Sequence, residues 1–179
     1  IVNILPLQPG VSIAAIMPVD RDEAEWDDLH AFFATSAGDV RRNALSDFTN
    51  VKSNGKIAMK LPEGVELVNA RICSEDDDIM LVTDSGRAIR FPVTEVRVFK
   101  GRDSTGVRGI RLQGDDRVVS MSVIRHFDAS AEERAAYLKM RRAVAGVQDD
   151  AEDSDDEAVA EASISAERYA EMSAAENLI

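Results

Sequence analysis

One stretch of sequence occurs twice in this chain, and this repetition constrains the fold more than any other feature. The first copy, FFATSAGDVRRNALSDF, runs from Phe32 to Phe48, and the second, MLVTDSGRAIRFPVTEV, runs from Met80 to Val96. The copies align at a constant offset of 48 residues, which becomes 51 after the insertion Gly101–Asp103. A repeat of this period is typical of stacked supersecondary modules such as propeller blades. We therefore predict an array of such units.

Each copy has the pattern of β-strands separated by tight turns. The segments LHAFFAT and IMLVT are short apolar runs that predict central strands, and turns containing Gly38 and Gly86 follow them. The next segments, VRRNAL and AIRFPV, partly alternate between polar and apolar residues. Pro92 predicts a strand end or a sheet edge there, because proline cannot donate a hydrogen bond to a neighbouring strand.

Two later segments, KIAMKL and VRGIRL, alternate more regularly. This alternation predicts two further strands, with Leu61 and Leu112 on an apolar face and Lys60 and Arg111 on the opposite, basic face.

Charge and composition differ between the two parts of the chain. The net charge is −12, but residues 1–126 carry 16 basic and 19 acidic residues, whereas residues 127–179 carry 5 and 14. No apolar run approaches the roughly 20 residues that span a bilayer, so no membrane association is expected. The single cysteine, Cys73, excludes an internal disulfide. We expect a cytoplasmic protein.

The periodicity changes from strands to helices after Asp128. Ser130 and Glu133 have the spacing of a capping box, which predicts a helix over Ala131–Ala145 with Tyr137, Met140 and Val144 along one side. The segment Gln148–Ala162 is strongly acidic and has the composition of a disordered insertion. A second helix is predicted near Ala166–Glu176, started by Ser165. The expected domains are 1–126, whose first strand belongs to a preceding blade, an insertion at 127–176, and the start of a following blade at 177–179.

The residues of the repeat region resemble a known family. IVNILPL, the Gly38 turn, NGKIAMKL, LVTDSGRAIRF, GVRGIRL and GDDRVVSM together resemble the C-terminal domain of the DNA gyrase A protein. The resemblance covers Ile1 to about Val123. It implies an all-β fold, a β-pinwheel of which this chain carries about two blades, with a helical and acidic insertion. It also implies that duplex DNA is wrapped on the outer rim, in support of negative supercoiling.

The resemblance also implies partners, which are duplex DNA, the rest of the gyrase A protein, and the gyrase B protein in the parent heterotetramer. That parent would be an ATP-dependent type IIA topoisomerase that acts in the cytoplasm on the nucleoid. We expect neither catalytic residues nor a cofactor in this fragment, since Tyr137 and Tyr169 lie in the insertion rather than at a catalytic position. The open sheet edges also permit a strand-exchanged dimer.

Basic residues that recur in register are the best candidates for contacts to DNA. Wrapping requires many phosphate contacts and few base contacts, and Lys and Arg supply them by displacing counterions. The primary candidates are the in-register pairs Arg42/Arg90, Lys52/Lys100 and Lys60/Arg111. The secondary candidates, whose counterparts in the other copy are not basic, are Arg41, Lys56, Arg87, Arg102 and Arg108.

Other interpretations of these residues remain open. Any one Lys or Arg could instead be a solvated surface residue or pair with Asp39, Asp47 or Glu95. The tetrad Glu75–Asp78 could suggest a metal, but a solvated turn suits its position between two strands better. For the chain as a whole, the alternatives to DNA wrapping are a propeller-like protein-interaction scaffold and the equivalent domain of the topoisomerase IV A protein. Binding that weakens steeply with salt would distinguish DNA wrapping from the scaffold.

Overall fold

The structure is a computed structural model that describes residues 13–19, 26–49, 55–145 and 164–175. By its internal contacts the chain divides into two compact units, Ile1–Arg125 and His126–Ile179. The first contains the sequence repeat and is built from β-strands. The described residues of the second include two helices. No helix in the described ranges is both long and apolar enough to cross a membrane.

In the described residues of the first unit, seven antiparallel strands form two sheets. The first sheet has the strand order β3-β1-β2-β6, and the second has the order β5-β4-β7. The strands of the first sheet are β1 His30–Thr35, β2 Asp39–Ala44, β3 Leu67–Cys73 and β6 Val107–Arg108. The strands of the second sheet are β4 Asp77–Thr83, β5 Ala88–Pro92 and β7 Val118–Arg125. Short 3₁₀ turns follow β2 at Leu45–Phe48 and β5 at Val93–Glu95.

The sequence repeat is also a structural repeat. Thr35 at the end of β1 accepts a hydrogen bond on its hydroxyl from the amide of Asp39 at 3.1 Å, and Thr83 at the end of β4 accepts one from Arg87 at 3.2 Å. Each threonine also stands where its strand pairing shifts register, opposite β3 in one copy and β7 in the other. The two copies therefore share their turns and their irregularities, as well as their sequence.

A strand that crosses from the second copy of the repeat to the first sheet joins the two copies. The segment that forms β6 belongs by sequence to the second copy, yet it pairs with β2 of the first sheet, placing Val107 opposite Val40. Gly106 permits this approach, because a Cβ at that position would lie 2.3 Å from the Val40 carbonyl oxygen. Gly106 also has φ of +104°, which disfavours other residues.

A shared apolar core lies between the two sheets. It includes Phe32 and Val40 from the first sheet and Ile79, Leu81 and Met121 from the second. Each of these side chains is at most 3% exposed. At about 25 cal/mol per Å² of buried apolar surface, contacts of this kind are the main source of stability for a small β unit. The central strands and the Gly38 and Gly86 turns thus match the sequence prediction.

The prediction for KIAMKL is wrong, and that for VRGIRL holds only in part. Residues 56–61 form no strand, and the amide of Lys60 donates to the carbonyl of Ser104 at 3.2 Å. Leu61 is 41% exposed, and Pro62, which follows it, cannot donate a hydrogen bond to a strand ladder. Within VRGIRL only Val107 and Arg108 form a strand, whereas Ile110 is buried and Leu112 packs against the core.

The second unit contains the two predicted helices, α1 Ala131–Val144 and α2 Ala166–Ala174. The capping box of Ser130 and Glu133 is present, and Ser165 caps α2. Tyr137 is buried against Met172 and Ala129, with its ring centroid 5.2 Å from that of Tyr169.

The predicted apolar side of α1 is only partly correct, because Met140 is 37% and Val144 79% exposed. The helix is anchored through its first two turns, and its last turn contributes nothing to this core. Gln148–Ala162 and 177–179 lie outside the described residues.

Candidate nucleic-acid interface

Arg42 and Arg90, the first of the in-register pairs, are occupied by carboxylates. The Arg42 guanidinium lies 3.4 Å from Glu75, and Nε of Arg90 donates to Asp78 at 2.7 Å. The Arg42 side chain is 6% exposed and that of Arg90 22%. Both arginines are therefore paired within the protein, which makes them weaker candidates for phosphate contacts than the exposed cations. Salt bridges were an alternative in the sequence analysis, but with Asp39, Asp47 or Glu95 as the acidic partners.

The acidic tetrad Glu75–Asp78 supplies the carboxylates that pair with both arginines. Glu75 and Asp76 lie in the exposed turn between β3 and β4, whereas Asp78 is inside β4 and 2% exposed. Asp78 pairs across the ladder with Pro92, which brings its carboxylate near Arg90 on the neighbouring strand. A solvated turn thus describes only the first half of the tetrad. No cluster of three or more metal-ligating side chains occurs in the described parts of the chain.

Arg41 is fully buried, with an exposure of 0%. Its guanidinium donates to Asn43 Oδ1 at 2.7 Å, to the carbonyl and hydroxyl of Ser104 at 2.7 and 2.6 Å, and to the carbonyl of Gly101. Burial lowers the pKa of this guanidinium, and the charge of Asp103 partly opposes the shift. The expectation that Arg41 faces solvent at the rim is wrong, because β2 turns it towards the segment that crosses from the second copy.

Lys56 and Arg102 converge on one backbone oxygen. Lys56 Nζ donates to the carbonyl of Asp47 at 2.8 Å, and the guanidinium of Arg102 donates to the same oxygen at 2.9 Å. Both side chains are half-buried. Two like charges are thereby held close together at the end of the first sheet, although they come from different copies of the repeat.

The remaining candidates in the described ranges are exposed. They are Lys60, Arg87, Lys100, Arg108 and Arg111. Arg108 lies opposite Asp39 in the β2–β6 pairing, where burial raises the pKa of Asp39 and the charge of Arg108 opposes that rise. Arg111 follows the buried Ile110 and points away from the core, as predicted. Lys52 lies outside the described residues.

The structure brings several of these cations to one edge of the first sheet. The backbone amide of Lys60 and the guanidinium of Arg41 both donate hydrogen bonds to Ser104, and Arg41 also donates to Gly101. Arg102 and Lys56 both donate to the carbonyl of Asp47. We call this group the basic edge. Its members are Arg41, Lys56, Lys60, Arg97, Lys100 and Arg102. Asp47 and Asp103 are the carboxylates whose charges partly oppose the lowering of the Arg41 pKa there.

Arg97 is a member of the basic edge that the sequence analysis did not select. Its guanidinium carbon lies 3.9 Å from the centroid of the Phe99 ring, and the side chain is exposed. It was overlooked because its counterpart in the first copy is Thr49, which carries no charge. The signal available in the sequence was the spacing of two residues to Phe99, which places both side chains on one side of an extended segment.

The basic edge has the chemistry of a phosphate-binding surface. Its cations come from both copies, several reach solvent, and others are fixed by backbone oxygens. Contacts to phosphate require such positive charge but no pattern of base-specific donors and acceptors.

Comparisons with known proteins agree with this architecture. The model of the family described as "DNA gyrase C-terminal domain, beta-propeller" matches residues 30–74 and 77–125. The DNA gyrase A protein of Granulibacter bethesdensis is 47% identical over 191 aligned residues, spanning 100% of this chain and 20% of that protein. The DNA gyrase A protein of Rickettsia bellii is 50% identical over 139 residues, spanning 78% of this chain and 15% of that protein.

Solved structures show the same fold. The C-terminal domain of DNA topoisomerase IV superposes with a TM-score of 0.62 at 24% identity, covering 70% of this chain and 38% of that one. A DNA gyrase A C-terminal domain gives a TM-score of 0.58 at 24% identity, covering 68% and 39%. The chain spans about a fifth or less of the gyrase A proteins that it matches. The repeat, the strand that crosses between its two copies and these matches together show that this chain belongs to the DNA gyrase C-terminal domain family.

Proposed function

We propose that the β unit binds duplex DNA without sequence preference and forms part of a rim on which DNA is wrapped. The observation that carries this proposal is the basic edge, where cations from two copies of the repeat gather on one side of the first sheet. Each phosphate that such a cation neutralises releases a condensed counterion, which favours binding regardless of base sequence.

The proposed contact set is narrower than the sequence suggested. It consists of the exposed cations of the basic edge, Lys60, Arg97 and Lys100, supported by the half-buried Arg102 and Lys56. Arg87, Arg108 and Arg111 are exposed and would extend the surface. Arg41, Arg42 and Arg90 are excluded from it, because their guanidinium groups are occupied within the protein.

Wrapping fits this surface better than recognition of a single site. Bending a duplex of 20–30 base pairs costs on the order of 1–6 kcal/mol, which only a series of contacts along a curved surface can offset. Repeated units supply contacts at regular intervals. In the parent protein, other units would continue the series, and wrapping would support negative supercoiling by a gyrase built from A and B proteins. Strand cleavage would depend on parts of the gyrase A protein other than this chain.

The test is a binding titration with fluorescent duplexes of two unrelated sequences, using the full chain. A variant with Lys60→Ala, Arg97→Ala and Lys100→Ala should bind both duplexes about tenfold or more weakly, since each lost phosphate contact removes favourable counterion release. The matched control is Arg71→Ala, Arg117→Ala and Arg125→Ala, which removes three exposed cations outside the basic edge. Equal affinities of the two variants, or binding to only one of the duplexes, would refute the proposal.

A further inference from the structure

The segment Arg97–Ser104, which we call the basic loop, is held against β2 by buried polar contacts. The amide of Phe99 donates to the carbonyl of Arg42 at 2.8 Å, and Asn43 Nδ2 donates to the carbonyl of Phe99 at 2.8 Å. Arg41 adds its bonds to Gly101 and Ser104. The path of this loop is therefore fixed by β2, which belongs to the other copy of the repeat.

Burying the Arg41 charge is costly, so its role needs an explanation. A guanidinium taken out of water loses several kcal/mol of hydration, and an apolar side chain of similar size is often at least as stabilising. The oxygens that Arg41 bonds are neutral groups of Asn43, Gly101 and Ser104. The hydrogen bonds of Arg41 therefore fix the shape of the basic loop without neutralising the positive charge of Arg41.

The Phe99 ring contacts both the buried guanidinium of Arg41 and the exposed guanidinium of Arg97. Phe99 is 5% exposed, and the guanidinium carbons of Arg41 and Arg97 lie 4.7 and 3.9 Å from the centroid of its ring. Stacking on the ring restricts the exposed Arg97, so part of the entropy lost when it binds a ligand has already been lost in the folded protein. The charges of Arg97 and Arg102 both act on Arg41, which means that like charges are held together here. Such a concentration favours an anionic ligand.

We propose that Arg97 and Lys100 are a pre-organised pair of phosphate contacts and that Arg41 is the residue that positions them. This inference rests on the proposed DNA binding and assigns its strongest contacts to one loop. Arg41 itself touches no DNA. It acts by fixing Gly101, Ser104 and the Phe99 ring, on which Arg97 stacks.

The contact pair is tested by titrating the full chain with a duplex of random sequence at several salt concentrations. The variant Arg97→Ala, Lys100→Ala should bind about tenfold more weakly, with a slope of log K against log salt that is shallower by about 0.9 for each contact. Arg71→Ala, Arg125→Ala removes the same charge from exposed positions of β3 and β7 and should change the slope by less than half as much.

The positioning role is tested by a double-mutant cycle. Arg41→Met should weaken binding severalfold in the otherwise unchanged chain and have almost no effect when Arg97 and Lys100 are already alanine, because coupled residues are not additive. Arg41→Lys should restore only part of the affinity, since an ammonium lacks the planar set of donors. Phe99→Leu keeps an apolar side chain and removes the ring under Arg97, so it should reproduce the Arg41→Met result. If Arg41→Met does not fold, Phe99→Leu tests the positioning role in its place.

The outcomes separate this inference from the proposed function. If the unchanged chain binds DNA but the Arg97 and Lys100 variant resembles its control, the basic loop is not the principal contact and the inference is overturned. Equal effects of Arg41→Met or Phe99→Leu in both backgrounds would overturn the positioning role. If the unchanged chain fails to bind DNA at low salt, the proposed function itself is refuted.

Discussion

The Nε atom of Arg90 donates to the carboxylate of Asp78 at 2.7 Å across neighbouring strands of the second sheet. Asp78 is 2% exposed, so this guanidinium stabilises a charge that has lost most of its water. Arg90→Ala should therefore lower the free energy of unfolding by about 3 kcal/mol, as for other buried pairs that lose one partner.

The matched comparison is Arg117→Ala. Arg117 lies 3.7 Å from Asp84, and both side chains are more than 60% exposed. Its removal should change stability by less than about 1 kcal/mol, because solvent screens exposed pairs. Chemical denaturation of the two variants measures both values. Equal losses would show that the Arg90 pair contributes no more than a surface contact.

Truncation of Leu81 should lower the stability of the protein much more than truncation of Leu61. Leu81 is 0% exposed within the core between the sheets, whereas Leu61 is 41% exposed. Leu81→Ala should cost about 2–5 kcal/mol, because it leaves a cavity among packed side chains. Leu61→Ala should cost less than about 1 kcal/mol, since surface substitutions away from such features have small effects. Thermal denaturation followed by circular dichroism tests this order, and a larger loss for Leu61 would contradict the described packing.

His30 should make stability depend on pH. Its side chain is buried, and the pKa of His30 is lowered from 6.5 by burial and by the positive charge of Arg42, while Glu75 and Asp28 partly oppose the shift. The unfolded chain therefore takes up a proton at higher pH than the folded chain. Stability should fall as the pH drops below about 6.5 and level off below the folded-state pKa.

The variant His30→Gln tests this dependence, because glutamine does not titrate in this range. The difference in unfolding free energy between the unchanged chain and His30→Gln should vary between pH 7 and pH 5. A constant difference over that range would show that the imidazole titrates equally in both states.

Cys73 should be unreactive in the folded protein. Burial raises the pKa of the Cys73 thiol to about 12, and its Sγ atom lies 3.8 Å from the carbonyl oxygen of His30. Iodoacetamide at pH 8 should label the chain in denaturant and leave the native chain unlabelled, because the thiolate is the reactive form. Mass spectrometry provides the readout. Rapid labelling of the native chain would mean that β3 opens readily at this end.

The parts of the fold that depend on local pattern were predictable from sequence. Thr35 and Thr83 stand at the same position in two copies, each followed by a glycine with positive φ, and both the turns and the central strands follow from that pattern. The capping box at Ser130 likewise predicted the start of α1. The regular alternation around Lys60 was misleading, because a strand also needs a neighbouring strand to pair with.

The candidate site was less predictable, because it depends on how the copies are connected. Recurrence selected Arg42 and Arg90, but recurring residues can serve the same structural purpose in each unit, and these two pair with acidic residues near the start of β4. The crossing of residues 98–108 onto the first sheet placed Arg41 inside and Arg97 outside. The burial of Arg41 is not visible in the spacing of residues within one copy, because it depends on a segment that comes from the other copy.

The salt dependence of DNA binding tests the central claim most directly. Affinity of the full chain for a duplex of random sequence would be measured by fluorescence anisotropy across a series of salt concentrations. If three or four cations of the basic edge neutralise phosphates, log K should fall against log salt with a slope of about −2.7 to −3.6, at about −0.9 for each phosphate. A slope near zero, or binding confined to one sequence, would contradict the assignment of this edge as a surface for wrapping DNA.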